Sequence, residues 1–598
     1  MKLITLTASC FLCALPLLAD DTAPTSIDYA MYFQSSIKDA EYCSMKLVSG
    51  QLQAVNKYNG KLISNPAMTC PDMFSWKLFA EVITDKFWSH WADEQQNWPA
   101  EPYPLCQAGQ KPGAGVQCCL PGDKNNNTEH CPVFPGEQFK SQLTTLAKAK
   151  PENAEAQARS NALKRHTRLP FHSQLNPLTK VSSEAMLKAA QSGNVEVASC
   201  SAVPVNGKTE NMIPAIYQAF NPASAESVGR VIRQTNAELT VRNQTFHDYL
   251  FRNNLYNANG ALDVFFASQT NMLQDAPYRK ANRSAQAGQA SQLVKIDLPP
   301  DAVMIKSNWL YQGLAAQLGM NAEASAYVSK YLATQIDLNA LGLSAETGAS
   351  CNLEGIHYLV AFHISSKDIP NWVWTTFEHI ALPGRCDVTG CNDAYGYNSA
   401  DQRPANTAAN YVVPNQHSDK LNQSSIVFNP DAGYPTESIR QEWQQLLSAM
   451  NIGTGSSNNP FEPTAAHKAW LNYRLKGSQV EFVNAIGQPT FLGNSVTEAG
   501  FMDGSSCIGC HARAGVAALG TKQGEKLNPA TSFKHFLALS VFETSLSDFG
   551  YFRSHNGTPN PAWYYRDNNS SPQMEVMQAD FIWGFLNAQP LVTSDSAK

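Results

Sequence analysis

Tyr358-Leu359-Val360-Ala361-Phe362-His363-Ile364 and, a short loop later, Trp372-Val373-Trp374-Thr375-Thr376-Phe377-Glu378-His379 form the stretch on which the fold turns. Both runs are dense in β-branched and aromatic residues, the side chains that fit a pleated surface, and they read as strands. Ala302-Val303-Met304-Ile305-Lys306 has the same character. The three together predict a mixed or antiparallel sheet in the middle of the chain. Successive strand side chains point to opposite faces, so Glu378 and His379 cannot share a ligand shell without a bend. If the second run pairs with the first, His363 comes within reach of one of them. Two Trp, a Glu and a His near His357 and His363 fit either a plain core strand or the wall of a site.

Outward from this centre the pattern becomes helical. Ser75 to Asp93 reads as an aromatic-faced core helix with His90 in its packing. Val228 to Tyr256, Glu437 to Met450 with Thr436 as N-cap, and Thr464 to Lys476 read as further helices. Residues 94–135 are loop-like, 140–185 polar and linker-like, and Val480 to Val496 extended. A chain of 598 residues exceeds the roughly 250–300 that one core supports, so several domains are expected. The divisions fall at 1–19, 20–185, 186–480 and 481–598.

Residues 1–19 read as an export signal: Lys2, an apolar run from Leu3 to Leu18, and a cut after Ala19. The run is shorter than the ~20 residues of a spanning helix. Phe11-Leu12 before Cys13 are too bulky for lipoprotein cleavage. A periplasmic or secreted, not transmembrane, protein is expected. The net charge of −6 and the lack of a Lys/Arg-rich face exclude nucleic acid as a partner class. Of 14 cysteines, Cys10 and Cys13 lie in the signal. Cys43, Cys70, Cys106, Cys118, Cys119, Cys131, Cys200, Cys351, Cys386 and Cys391 form an even set that reads as disulfides in an exported chain. Cys386 and Cys391 are the nearest local pair, and the cluster from Cys106 to Cys131 should staple a loop rich in Gly, Pro and Asn. None of the ten forms the C-x-x-C pair with following histidines that a zinc site would use.

The last two cysteines lie in Ser505-Ser506-Cys507-Ile508-Gly509-Cys510-His511-Ala512. Two thiols three positions apart can each add to one haem vinyl group, and the next residue then offers an imidazole to the iron. This is why C-x-x-C-H reads as covalent haem attachment. A redox dithiol would want a thioredoxin-like βαβ setting, and a zinc site would need a second half.

In these residues the chain resembles the c-type cytochromes. With Trp372 to His379 it also looks like a group of large exported bacterial cytochrome-like proteins of unassigned activity. The resemblance is secure only for Cys507 to His511 and extends plausibly over the C-terminal ~100 residues. It implies one covalent haem c, with His511 as proximal ligand and a distal Met ahead of a C-terminal helix. Met574 is the first choice and Met577 the second. Phe581, Ile582, Phe585 and Leu586 would form the apolar face of that helix; His535 and His555 are rival ligands, and an open sixth position is the remaining alternative. The implied architecture is α+β and multi-domain: a mixed β-containing central domain and a largely helical C-terminal cytochrome-c-like haem region. The implied function is electron transfer with a donor or acceptor protein or small molecule. Two alternatives stand beside it: a haem-dependent oxidoreductase acting on an extracytoplasmic small molecule, and a haem-bearing binding or sensor module. Dihaem peroxidases and rubber-oxygenase relatives share haem c and export but carry two such motifs, so their chemistry is not carried over.

Overall fold

A computed structural model describes residues 39–136, 236–273, 293–311, 355–380, 438–456, 464–483, 490–498, 505–517 and 576–592, with shorter stretches between them. The signal, the linker-like 140–185 except the short strand Gln174–Leu175, and the histidines 535 and 555 lie outside the described residues.

At the centre lies an antiparallel sheet. A hairpin, β1 (Cys43–Val48) and β2 (Gln51–Asn56), stands apart from it. The sheet strands are β3 (Ala237–Arg242), β4 (Val303–Tyr311), β5 (Ala333–Leu338), β6 (Gly355–Ser366), β7 (Val373–His379) and β8 (Tyr473–Gln479). The main order is β8-β7-β6-β4-β3, and β5 pairs with the start of β6. All three centrally placed runs are thus strands, and the second pairs with the first through Thr376↔His363 and Glu378↔Ala361.

One face of the sheet is apolar. Helix α1 (Pro71–Thr84) lies on it, with Trp76 and Phe79 centred 5.1 and 4.8 Å from Phe377. Phe362, Trp443 and Trp470 complete this buried aromatic core. Pro71 opens α1 where a missing N–H costs nothing. The Asp39 carboxylate, from outside the helix, accepts from the Asp72 and Met73 amides at 2.9 Å each. The expected helix from Ser75 to Asp93 is interrupted: Lys86 takes a left-handed φ of 51°, and Phe87–His90 forms a separate turn.

Other expectations are corrected. In the predicted helix from Val228 to Tyr256, Ala237–Arg242 is strand β3, whose alternation serves the sheet, and among the described residues of that range only α2 (Gln244–Arg252) is helical. It starts at Asn243, whose side chain accepts from the Phe246 amide. A helix α3 (Ala258–Leu273) follows it. The expected N-cap Thr436 lies outside the described residues; Ser438–Ile439 is extended, and α4 (Gln441–Ala449) follows Arg440. Thr464 to Lys476 divides into a 3-10 turn, Lys468–Asn472, and β8, because the sheet edge at β7 takes up the backbone groups from Tyr473 onward.

The largely helical haem region is not found. Among the described residues after 480, helix is confined to α5 (Cys507–His511) and the 3-10 turn Trp583–Asn587. Two-residue strands take the remaining pairings: β9 (Gly515–Val516) with β12 (Met577–Gln578), and β10 (Tyr565–Arg566) with β11 (Gln573–Met574). The expected C-terminal helix fails at Asp580 and Phe581, whose φ angles of 49° and 67° leave the right-handed region. Phe581, Ile582 and Phe585 are still buried, as their apolar character demands, but in the wall of a core shared with α3 and β7.

Disulfides join Cys43 to Cys70, Cys106 to Cys118 and Cys119 to Cys131. The Cys386–Cys391 pairing lies outside the described residues. Among the described residues, no helix is long and apolar enough to cross a membrane.

Candidate haem-attachment site

The C-x-x-C-H segment forms α5 because its ends are capped. Ser506 Oγ accepts from the Gly509 amide at 3.2 Å, the N-cap arrangement that serine favours. The helix is fastened to the sheet by Gln479, the last residue of β8. Its fully buried side chain accepts from the Ile508 amide at 2.9 Å and donates to Ser506 Oγ at 3.0 Å. It also reaches Thr490 Oγ1 at 2.7 Å. Gly493 lets the preceding segment run against Ser505; a Cβ there would fall 2.8 Å from the serine side chain.

Helical spacing then divides the motif. Ile508 and Ala512, four apart, are buried in the apolar cluster below. Cys507, Cys510 and His511 stand at i, i+3 and i+4 and share one face. Both thiols are half-buried and free, whereas the other six described cysteines with placed side chains are paired. Burial, with Glu498 nearby, holds Cys507 well above the ordinary thiol range; burial pushes Cys510 up to about 11. A redox dithiol needs the opposite shift.

His511 is oriented from two sides. Its ring lies 4.3 Å from that of Trp374 on β7. Its Nδ1 is 2.8 Å from the Phe581 carbonyl oxygen. A carbonyl only accepts, so Nδ1 carries the hydrogen and Nε2 keeps the lone pair. Fixing one nitrogen of a histidine in this way determines which nitrogen meets a metal. Burial, with Lys306 adding to it, lowers the imidazole to about 4 against the pull of the Phe581 bond, so the ring is neutral at neutral pH. The left-handed turn at Phe581 that breaks the expected helix is what presents this carbonyl.

Both expected methionine ligands lie in the apolar cluster that also holds Ile508 and Ala512 of α5. Met574 is buried in the cluster that holds α5, and its sulfur accepts from Ser268 Oγ at 3.6 Å. Met577, also buried, pairs opposite Val516. His357 packs on Tyr311, with ring centroids 5.4 Å apart. Glu378 and His379 do face opposite ways: His379 lies 4.3 Å from the Tyr331 ring, while Glu378 accepts from the Ser495 amide at 2.9 Å.

The polar face of the sheet, beneath α5 and residues 490–498, carries what the motif reading missed. Lys306 stands opposite His363, and His363 opposite Thr376, in one row. Lys306 pairs with Glu238 at 2.9 Å, and Lys476 with Glu378 at 3.5 Å, the latter two fully enclosed. Asn308 donates to Glu238 at 3.2 Å and accepts from Thr497 Oγ1 at 2.9 Å. Thr497 has spent its one hydrogen on Asn308, so at 3.1 Å it accepts from His363 Nε2–H. Glu498 lies 4.0 Å from the same nitrogen and accepts from the Asn494 amide at 2.6 Å. His363 thus meets Glu498 and neither Glu378 nor His379. The period-two polar positions of β3, β4, β6 and β7 were the available signal.

This chain matches no known family. Nor does any curated protein or solved structure match it.

The residues present suit a covalently held haem: two unpaired sulfurs and an imidazole with its Nε2 lone pair preserved, on one face of a capped helix. Among the described residues no set of three or more His, Cys, Asp and Glu side chains gathers to hold a bare metal ion.

Proposed function

We propose that this chain is an exported mono-haem protein, with haem c bound to Cys507 and Cys510 and His511 as proximal ligand, acting in electron transfer. A donor or acceptor protein, or a small molecule, is its partner. The observation that carries the reading is the His511–Phe581 hydrogen bond, which prepares Nε2 as a ligand in a motif whose two thiols stand free. A bound haem would supply one-electron chemistry. The chain's own part is to hold the imidazole neutral and fixed, with Trp374 against its ring and Gln479 under its helix. A periplasmic or secreted location is supported by the three disulfides.

A second reading, a haem-dependent oxidoreductase acting on an extracytoplasmic small molecule, is favoured by one observation. The acid–base row of Lys306, His363 and Glu498 borders the motif, and a bare carrier has no need of it. Turnover of a small molecule by purified protein would support this reading.

Pigment retention tests the first claim. After expression with a haem-attachment system, the colour should stay with the protein through acid–acetone extraction. Cys507→Ser or Cys510→Ser should shift the pyridine haemochrome band by leaving one vinyl group unreacted. Complete extraction of the pigment from the wild type would sink covalent attachment.

A further inference from the structure

We propose that Glu498 is a redox-linked proton site: it binds one proton when the group held by Cys507 and Cys510 accepts one electron. This rests on the haem reading above. The electron comes from a one-electron donor and the proton from a hydronium ion of the solvent, whose O–H bond breaks as one O–H bond forms on the Glu498 carboxylate.

Acid and base are matched pair by pair along a largely buried strip, with one exception. Three carboxylates and two lysines line the sheet face beneath the motif. Glu238 is matched by Lys306 at 2.9 Å and Glu378 by Lys476 at 3.5 Å. Glu498 has no lysine of its own; it is held by the Asn494 amide and stands 4.0 Å from neutral His363. Arg513 and His511 flank the strip from the motif side, and Arg513 acts on Cys510. Water screens a unit change of charge only weakly in such a largely buried place, so a charge change within the strip is favoured to offset it. Glu498 is the group best placed to do so. Burial pushes it up to about 7, against the pull of the more distant Lys306, so its two protonation states are nearly balanced at neutral pH. His363 is pressed the other way, held well below its ordinary value first by burial and then by Lys306. It therefore remains the neutral Nε2–H donor that Thr497 requires.

The test is a spectroelectrochemical titration of the haem-loaded protein across the neutral range. The wild-type midpoint potential should fall as pH rises, with a slope approaching ~59 mV per pH unit, the one-electron equivalent of tenfold in proton activity. Glu498→Gln should flatten the slope; Glu498→Asp should keep it and move its inflection. Reduction-induced infrared difference spectra of the wild type should show a protonated carboxyl band, and this measurement stands even if the Gln variant misfolds. A haem-bearing wild type whose potential ignores pH, or a Glu498→Gln variant that keeps the full slope, overturns the proposal alone. A chain that attaches no haem overturns both this proposal and the reading beneath it.

Discussion

A histidine meets iron through the nitrogen it leaves unprotonated, and in His511 that choice is made by a backbone oxygen seventy residues away in sequence. The same division of labour holds for Gln479, a side chain with no redox chemistry whose amide ties Thr490, Ser506 and the Ile508 amide together under the motif. Gln479→Ala strands the Ile508 amide and Ser506 and Thr490 groups in a buried place. The expected cost is about 2–3 kcal/mol, since each unsatisfied buried group costs roughly 1–3. Urea denaturation measures it, and haem loading should fall in parallel. Met574 makes a sharper case. As the proposed distal ligand its sulfur must exchange the Ser268 hydroxyl for the iron, a change open to a flexible thioether. Ferric protein should then show the weak near-infrared band of Met–iron ligation, and Met574→Ala should abolish it and admit CO. Retention of the band in that variant, with loss in Met577→Ala, would move the ligand to Met577.

At the scale of elements, α1 illustrates how a cap can come from outside its own helix. Asp39 supplies the acceptors for two amides at its start, yet burial pushes the carboxyl up to about 7 from an ordinary 3.8, with Asp393 adding to the rise. The folded chain therefore holds this proton more tightly than the unfolded chain does. The associated stability is complete below about pH 4 and is lost as pH rises through about 7. Asp39→Asn should accordingly gain on the wild type between about pH 4 and pH 8, whatever constant offset the lost acceptor introduces. Equal differences in denaturation midpoint at both pH values would refute this. Strands β4, β6 and β7 were legible because their apolar alternation is local. What covers their other face was not: Lys306, His363 and Glu378 have the spacing of a solvated strand face, and only long-range packing by residues 490–516 encloses them. The missing C-terminal helix has a similar origin. Phe581, Ile582, Phe585 and Leu586 have helical spacing, but Asp580 turns left-handed to accept from the Leu298 amide and pair with Lys367 at 2.5 Å. A partner so distant in sequence leaves no trace in periodicity.

Across the whole molecule, the cysteines separate by fate. In the folded, haem-free chain, Cys43, Cys70, Cys106, Cys118, Cys119 and Cys131 should resist alkylation, while Cys507 and Cys510 should react after mild denaturation without reductant. Haem loading should remove those two labels and add the mass of one haem, as intact-mass spectrometry would show. Labelling that is unchanged by loading would argue against thioethers. Cys118 and Cys119 are adjacent yet belong to different bridges, to Cys106 and to Cys131. Exchanging their partners would close loops of almost equal size, and loop-closure entropy varies only logarithmically with length, so the chain statistics of the unfolded state barely favour one arrangement. The preference must come from the packed state, where Cys119 and Cys131 are buried against Phe251 and Tyr256. The correct linkage is therefore knowable to the chain only after α2 has docked. A thiol–disulfide isomerase that can still correct a finished bond should therefore speed the maturation of this pair of bridges, and the proposed haem attachment would need a reductant beside it to keep Cys507 and Cys510 open.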